Sequence, residues 1–172
     1  MYRRNILGVS AMVAVLSMLP GGAIAQQKSM KDLLVGSWTV LLVDNVKDDG
    51  THAPIYGPNP EGILMFAPDG HYSLQIMRYG RPAFASKNPV AGTADENKAA
   101  IQGIIAHFGR YTVDEAGKTI TFRIEGSSFP NWDSTVQKRP VTAITDEVLT
   151  YNLPAPPIPG FTHAELAWKK AK

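Results

Sequence analysis

The sequence contains no cysteine. Disulfides, thiolate nucleophiles and thiolate metal ligands are excluded together, so a folded domain here must rest on its hydrophobic core. A dominant charge is also missing: 17 lysines and arginines stand against 15 aspartates and glutamates. Without basic runs the chain has no electrostatic footprint for nucleic acid or an anionic membrane, and no nucleic-acid partner is expected. There is no Gly-x-Ser-x-Gly elbow, no P-loop and no dinucleotide-binding glycine fingerprint. The histidines, His52, His71, His107 and His163, fall in no HxH or HExxH spacing, so neither a metal site nor a cofactor is expected. Internal repeats and low-complexity tracts are likewise absent.

One long apolar run is present, over 6–19. Arg3 and Arg4 precede it, and Pro20-Gly21-Gly22 and Ala23-Ile24-Ala25 follow it. This is the charged, apolar and small-residue pattern of a secretory signal peptide, with cleavage before Gln26. The run is too short for a membrane-spanning helix, although an uncleaved anchor is the alternative. The arginine pair fits both an ordinary and a twin-arginine leader. The expected organisation is a signal peptide over 1–25 and one domain over 26–172, secreted or periplasmic, without a stable membrane span after cleavage. Loss of Arg3 and Arg4 leaves 15 basic and 15 acidic residues.

Beyond the leader, period-2 patterning dominates. A strand over 37–43 puts Trp38, Val40 and Leu42 on one face and Thr39, Leu41 and Val43 on the other. Segments 62–67 and 71–78 flank Pro68-Asp69-Gly70, the clearest hairpin in the chain. Tyr72, Leu74 and Ile76 form a core face, and His71, Ser73, Gln75 and Met77 a more polar one. Thr93-Ala94-Asp95-Glu96 reads as a capping box, and Ile101, Ile104, Ile105 and Phe108 follow at helical spacing, predicting one amphipathic helix over about 94–108. Strands are then expected over 110–114, 118–125, 134–144, 147–153 and 162–170. Eight strands joined mostly by hairpins imply an all-β, up-and-down antiparallel barrel, since closure removes exposed edges and leaves room for one small ligand.

The blocks GSWTVLLV at 36–43, FAPDGHYSLQIMR at 66–78, FGRYTVDE at 108–115 and EGSSFPNWDSTVQKR at 125–139 together resemble the lipocalin-like domain family of small bacterial and fungal proteins. The resemblance implies a calycin-type barrel with a central cavity, and no single reaction. Classical lipocalins carry their helix after the last barrel strands, whereas here it falls in the middle of the strand order.

Candidate site residues follow from parity. On strand 134–144 a lysine is harder to bury than a glutamine or a partnered arginine, so Lys138 outside puts Gln137 and Arg139 inside. A buried guanidinium needs a carboxylate, from the protein or from a ligand. Glu125 is the nearest candidate, yet its strand alternation points it outward unless a bulge near Gly126 intervenes. A register-fixing Arg-Gln network is the alternative to a ligand anchor. One of Arg110 and Tyr111 must face inward. Trp132 and Asn131 lie in a loop suited to a barrel mouth, with Phe129 beside them, and Met77 is a candidate for an adaptable pocket wall. His107, expected at the helix end, is the best single acid-base candidate, with Glu125 the other. The leading expectation is therefore a protein that holds a small amphipathic ligand in its cavity. A cofactor-free isomerase, cyclase or hydratase using Glu125 or His107 is the alternative, and a structural barrel filled with side chains a third.

Overall fold

In the computed structural model, which describes residues 28–154 and 159–172, the first element is set by a capping box. The Ser29 hydroxyl accepts from the Asp32 N–H at 3.1 Å, and the Asp32 carboxylate accepts from the Ser29 N–H. This starts α1 (Met30–Leu34). The signal peptide expected over 1–25 lies outside the described residues. The chain continues through β1 (Gly36–Lys47), β2 (His52–Pro54), β3 (Glu61–Phe66), β4 (His71–Met77), α2 (Ala94–Gln102), β5 (Ile104–Asp114), β6 (Thr119–Ser127), β7 (Val136–Ile144), β8 (Val148–Pro154) and β9 (Phe161–Lys170). From β3 to β9 each strand pairs with the next, β1 pairs with β3, and a β1–β9 ladder closes an eight-stranded antiparallel barrel. The short β2 lies outside that ring of eight and prolongs the β3 side of β1, opposite Asp44, Asn45 and Val46.

Alternating side chains fill the interior. Leu64 and Phe66, then Tyr72, Leu74 and Ile76, then Ile120, Phe122 and Ile124 all point inward and are buried. Each such side chain contributes roughly 2 kcal/mol by leaving water. One end of the barrel is shut by α1. Leu34 and Trp38 are fully buried there, and the Trp38 indole N–H donates to the Leu34 carbonyl at 2.8 Å. Lys170 reaches across from β9, donating to the Leu33 and Val35 carbonyls at 2.7 and 2.6 Å, with its ammonium 4.3 Å from the Trp38 ring centroid. From the turn after β5, the Glu115 carboxylate accepts from the N–H groups of Met30 and Lys31.

Two bulges decide which side chains face in. On β1, Val40 opposes Trp168 and Leu42 opposes Ala167, so Leu41 has no partner and is exposed. The alternation expected for this strand is thereby reset: Val43, not Leu42, joins Trp38 and Val40 in the core. On β5 and β6, Phe108 opposes Gly126 and Gly109 opposes Ile124, leaving Glu125 unpaired. Gly109 takes φ +153°, and a Cβ there would stand 2.2 Å from the Arg123 carbonyl oxygen.

The helix is shorter than its sequence pattern predicts. It ends at Gln102, Gly103 caps it, and Ile104 begins β5. The spacing of Ile101, Ile104, Ile105 and Phe108 suits a helix, but β-branched Ile104 and Ile105 favour extended chain. Pairing with β4 along this whole stretch, joined by β6 from His107 onward, decides the outcome. What remains as α2 lies outside the barrel with no residue buried. Its capping box is present, and the Glu96 carboxylate also takes the Ala85 N–H at 2.7 Å, tying the preceding loop to the helix start. Among the described residues no helix is long and apolar enough to cross a membrane.

Because the obstacle at Gly109 is backbone, Gly109→Ala is expected to cost about 3 kcal/mol. Gly126→Ala meets only the ring of exposed Phe108, which can swing aside, and should cost well under half of that. Urea unfolding of the two variants measures the difference, and equal losses would contradict this account of the bulge.

Candidate functional site

The strands enclose a cavity of about 470 Å³, between the α1 plug and the loops at the other end. Val43, Leu74, Ile76, Ile105, Phe122 and Leu166 give it apolar walls, and Ile55, Tyr56, Phe129, Trp132 and Leu153 surround its mouth. This volume lies in the range of small-molecule sites. Among the described residues, no three His, Asp or Glu side chains gather in a way that could hold a metal ion.

Arg139 enters the cavity from β7, where Lys138 and Pro140 are exposed and Arg139 and Val141 are buried. The residue is only 6% exposed. Its guanidinium donates to the Lys138 carbonyl at 3.1 Å and, through Nη2, to the Gln137 amide oxygen. Both acceptors are neutral, and burial holds the Arg139 pKa below its ordinary value. Gln137 is half-buried and does not line the cavity itself; it braces the arginine.

His107 lies in the middle of β5, opposite Leu74 on one side and Ser127 on the other, not at a helix end as its sequence context suggests. No helix terminus therefore stabilises its charged form. Burial, and secondarily the charge of Arg139, lowers its pKa to about 4. The imidazole is thus neutral at physiological pH. Its Nδ1 is 2.9 Å from the Tyr72 hydroxyl. Burial keeps Tyr72 protonated, and its hydrogen has no other acceptor among the described residues. The hydroxyl therefore donates to Nδ1, leaving the imidazole proton on Nε2. Tyr151 stands in the same wall, raised in pKa by burial and stacked on Trp168. No acceptor for its hydroxyl hydrogen is present among the described residues. Trp132, half-buried on the turn Pro130–Trp132, sets its ring edge-on to His107, with centroids 5.8 Å apart.

Other candidate residues lie elsewhere. Glu125 sits on the bulge and is exposed, 3.8 Å from Arg110, which is also outside. It cannot serve as acid or base in the cavity, nor as a partner for Arg139. Tyr111 does face inward, but its hydroxyl donates to the Ala67 carbonyl at 2.9 Å and its ring packs on Phe66, away from the cavity lining. Met77 is on the outer face of β4, where its sulfur accepts from Arg81. Asn131 is exposed and does not reach the cavity. Sequence reasoning took Tyr72 for core and passed over Tyr151. Their inward parity was visible; the polar neighbours that give their hydroxyls meaning come from other strands.

A family model described as a lipocalin-like domain matches residues 35–171. A curated relative, the 4'-hydroxy-3'-methoxypropiophenone carrier protein ppsC of Aspergillus oryzae, is 35% identical over 75 residues, covering 40% of this chain and 68% of that protein. A solved structure of a redesigned β-barrel is 14% identical, covering 84% of this chain and all of the other, with a TM-score of 0.42.

The neutral His107 predicts a pH effect. Its pKa falls from 6.5 to about 4 on folding, so the unfolded chain takes up the proton first as the medium is acidified. Stability from this residue is full above about pH 6.5, declines as pH falls and is lost through about pH 4. In urea unfolding across that window, wild type should lose about 3 kcal/mol more than His107→Gln. Parallel pH profiles would show that His107 is not held neutral.

Proposed function

We propose, from the premise that this chain belongs to the lipocalin-like domain family, that it is an exported binding protein whose barrel holds one small amphipathic molecule. The observation that carries this reading is a cavity of about 470 Å³ with largely apolar walls, lined also by Arg139, His107 and Tyr151 and, toward the mouth, by Asn45 and Tyr56. A hydrocarbon or aromatic body fits the walls, and hydrogen bonds from those side chains orient its polar end. The Aspergillus oryzae relative is named as a carrier of a substituted propiophenone, which supports a carrier role and suggests hydroxyaryl ketones as first probes. Export rests on the signal-peptide pattern over 1–25.

A second reading, a cofactor-free isomerase or related enzyme, is favoured by one observation: an imidazole and a guanidinium line the same cavity. Against it, a base whose conjugate acid has a pKa of about 4 is weak at neutral pH, and Glu125 is outside. A barrel filled to its axis does not accord with the open volume.

Ala164 is buried and lines the cavity, so Ala164→Phe should occupy the space without disturbing the outer surface. Binding of a hydroxyaryl ketone, followed by quenching of tryptophan fluorescence, is expected to weaken at least about tenfold, with the β-sheet circular dichroism kept. Unchanged affinity would move the site out of the barrel. The export reading is checked by intact mass: protein recovered from its own compartment should begin at Gln26, and a full-length mass there would refute cleavage.

A further inference from the structure

We infer that the barrel binds its ligand as a monoanion, through an ionised oxygen set against Arg139 on an otherwise apolar skeleton. This rests on the cavity being the ligand site, and concerns the chemical class of what enters it. The first ground is an unanswered charge. All 15 aspartates and glutamates of the chain lie among the described residues, and none forms an ion pair with Arg139. A buried guanidinium bonded only to the Gln137 amide oxygen and a backbone carbonyl keeps its full positive charge in a medium that solvates it poorly. The remaining N–H groups of Arg139 have no acceptor among the described residues.

The second ground is the surrounding polarity. Because Tyr72 donates to His107 Nδ1, the imidazole offers Nε2–H and no lone pair to the cavity. Tyr151 likewise has a hydroxyl hydrogen to give. The part of the wall shared by Arg139, His107 and Tyr151 therefore presents donors. Of the other lining side chains, Asn45 on β1 adds an amide oxygen and Tyr56 a hydroxyl, both toward the mouth. With His107 neutral, the site carries a single positive charge. A carboxylate, or the conjugate base of an acidic phenol or enol, balances that charge and accepts those hydrogens; a dianion leaves an excess negative charge buried. The aliphatic and aromatic walls then take the carbon skeleton.

Charged and neutral isosteres separate these statements. Calorimetry on the wild-type barrel would compare 3-phenylpropionate with 3-phenylpropanamide, and 4-nitrophenol with 4-nitroanisole, each near neutral pH. The anionic member of at least one pair is expected to bind at least about tenfold tighter. The phenolate absorbance of bound 4-nitrophenol should persist to lower pH than in free solution, a downward shift of about one pKa unit. Both preferences should vanish in Arg139→Gln and survive in part in Arg139→Lys. Preference for the carboxylate pair alone, or the phenol pair alone, identifies which anion the site takes. If neutral and anionic members bind equally and the nitrophenol titrates as in water, the inference fails while the binding role stands. If none of the four binds, both fail. Should Arg139→Gln not fold, the wild-type isosteres and titration decide the matter alone.

Discussion

Closure of the barrel is the constraint from which the cavity, the plug and the buried arginine all follow. The β1–β9 ladder runs from Trp38 opposite Lys170 to Lys47 opposite Phe161, joining the first long strand to the last. An open sheet with this sequence would show its apolar face to water and leave two unpaired edges. Closing it gives every inward side chain a dry interior, and eight strands make that interior wide enough either to be filled by side chains or to hold one small ligand. Residual space collects on the side away from α1, because Leu34, Trp38, Phe66 and Tyr111 crowd the other end.

Within that frame the bulges matter more than their size suggests. Leu41 and Glu125 each add one residue to one strand, and each moves the residues beyond it to the opposite face. Without the first, Leu42 would replace Val43 inside. The second leaves β5 in phase, with His107 and Tyr111 both inward, and changes only the end of β6, where Gly126 comes opposite exposed Phe108 and Ser127 opposite His107.

The fold was largely legible because strand alternation and turn chemistry are local. Pro68-Asp69-Gly70 marked its hairpin, and Lys138 beside Arg139 fixed the facing of β7. The helical spacing of Ile101, Ile104, Ile105 and Phe108 carries the expected helix too far, and only pairing with β4 shows that the last three are extended. The site was less legible. Arg139 could be turned inward from parity, but its lack of a carboxylate requires the positions of every acid in the chain. Tyr111 faced inward yet at the wrong end, since parity gives the side of a strand and not the height along the barrel. Met77 and Asn131 were chosen for residue type and loop context, which do not carry three-dimensional position.

Lys170 joins two parts of the chain that are far apart in sequence: its ammonium caps carbonyls at Leu33 and Val35. The plug at one end of the barrel is thus completed by the last strand to be synthesised. Contacts of such sequence separation form late and slowly, since a long loop must close before they return any stabilisation. Until β9 docks, β1 and β8 each lack a neighbour and the cavity has no wall on that side. Closure of this barrel therefore waits on β9, and a chain stopped short of β9 would be an open, two-edged sheet.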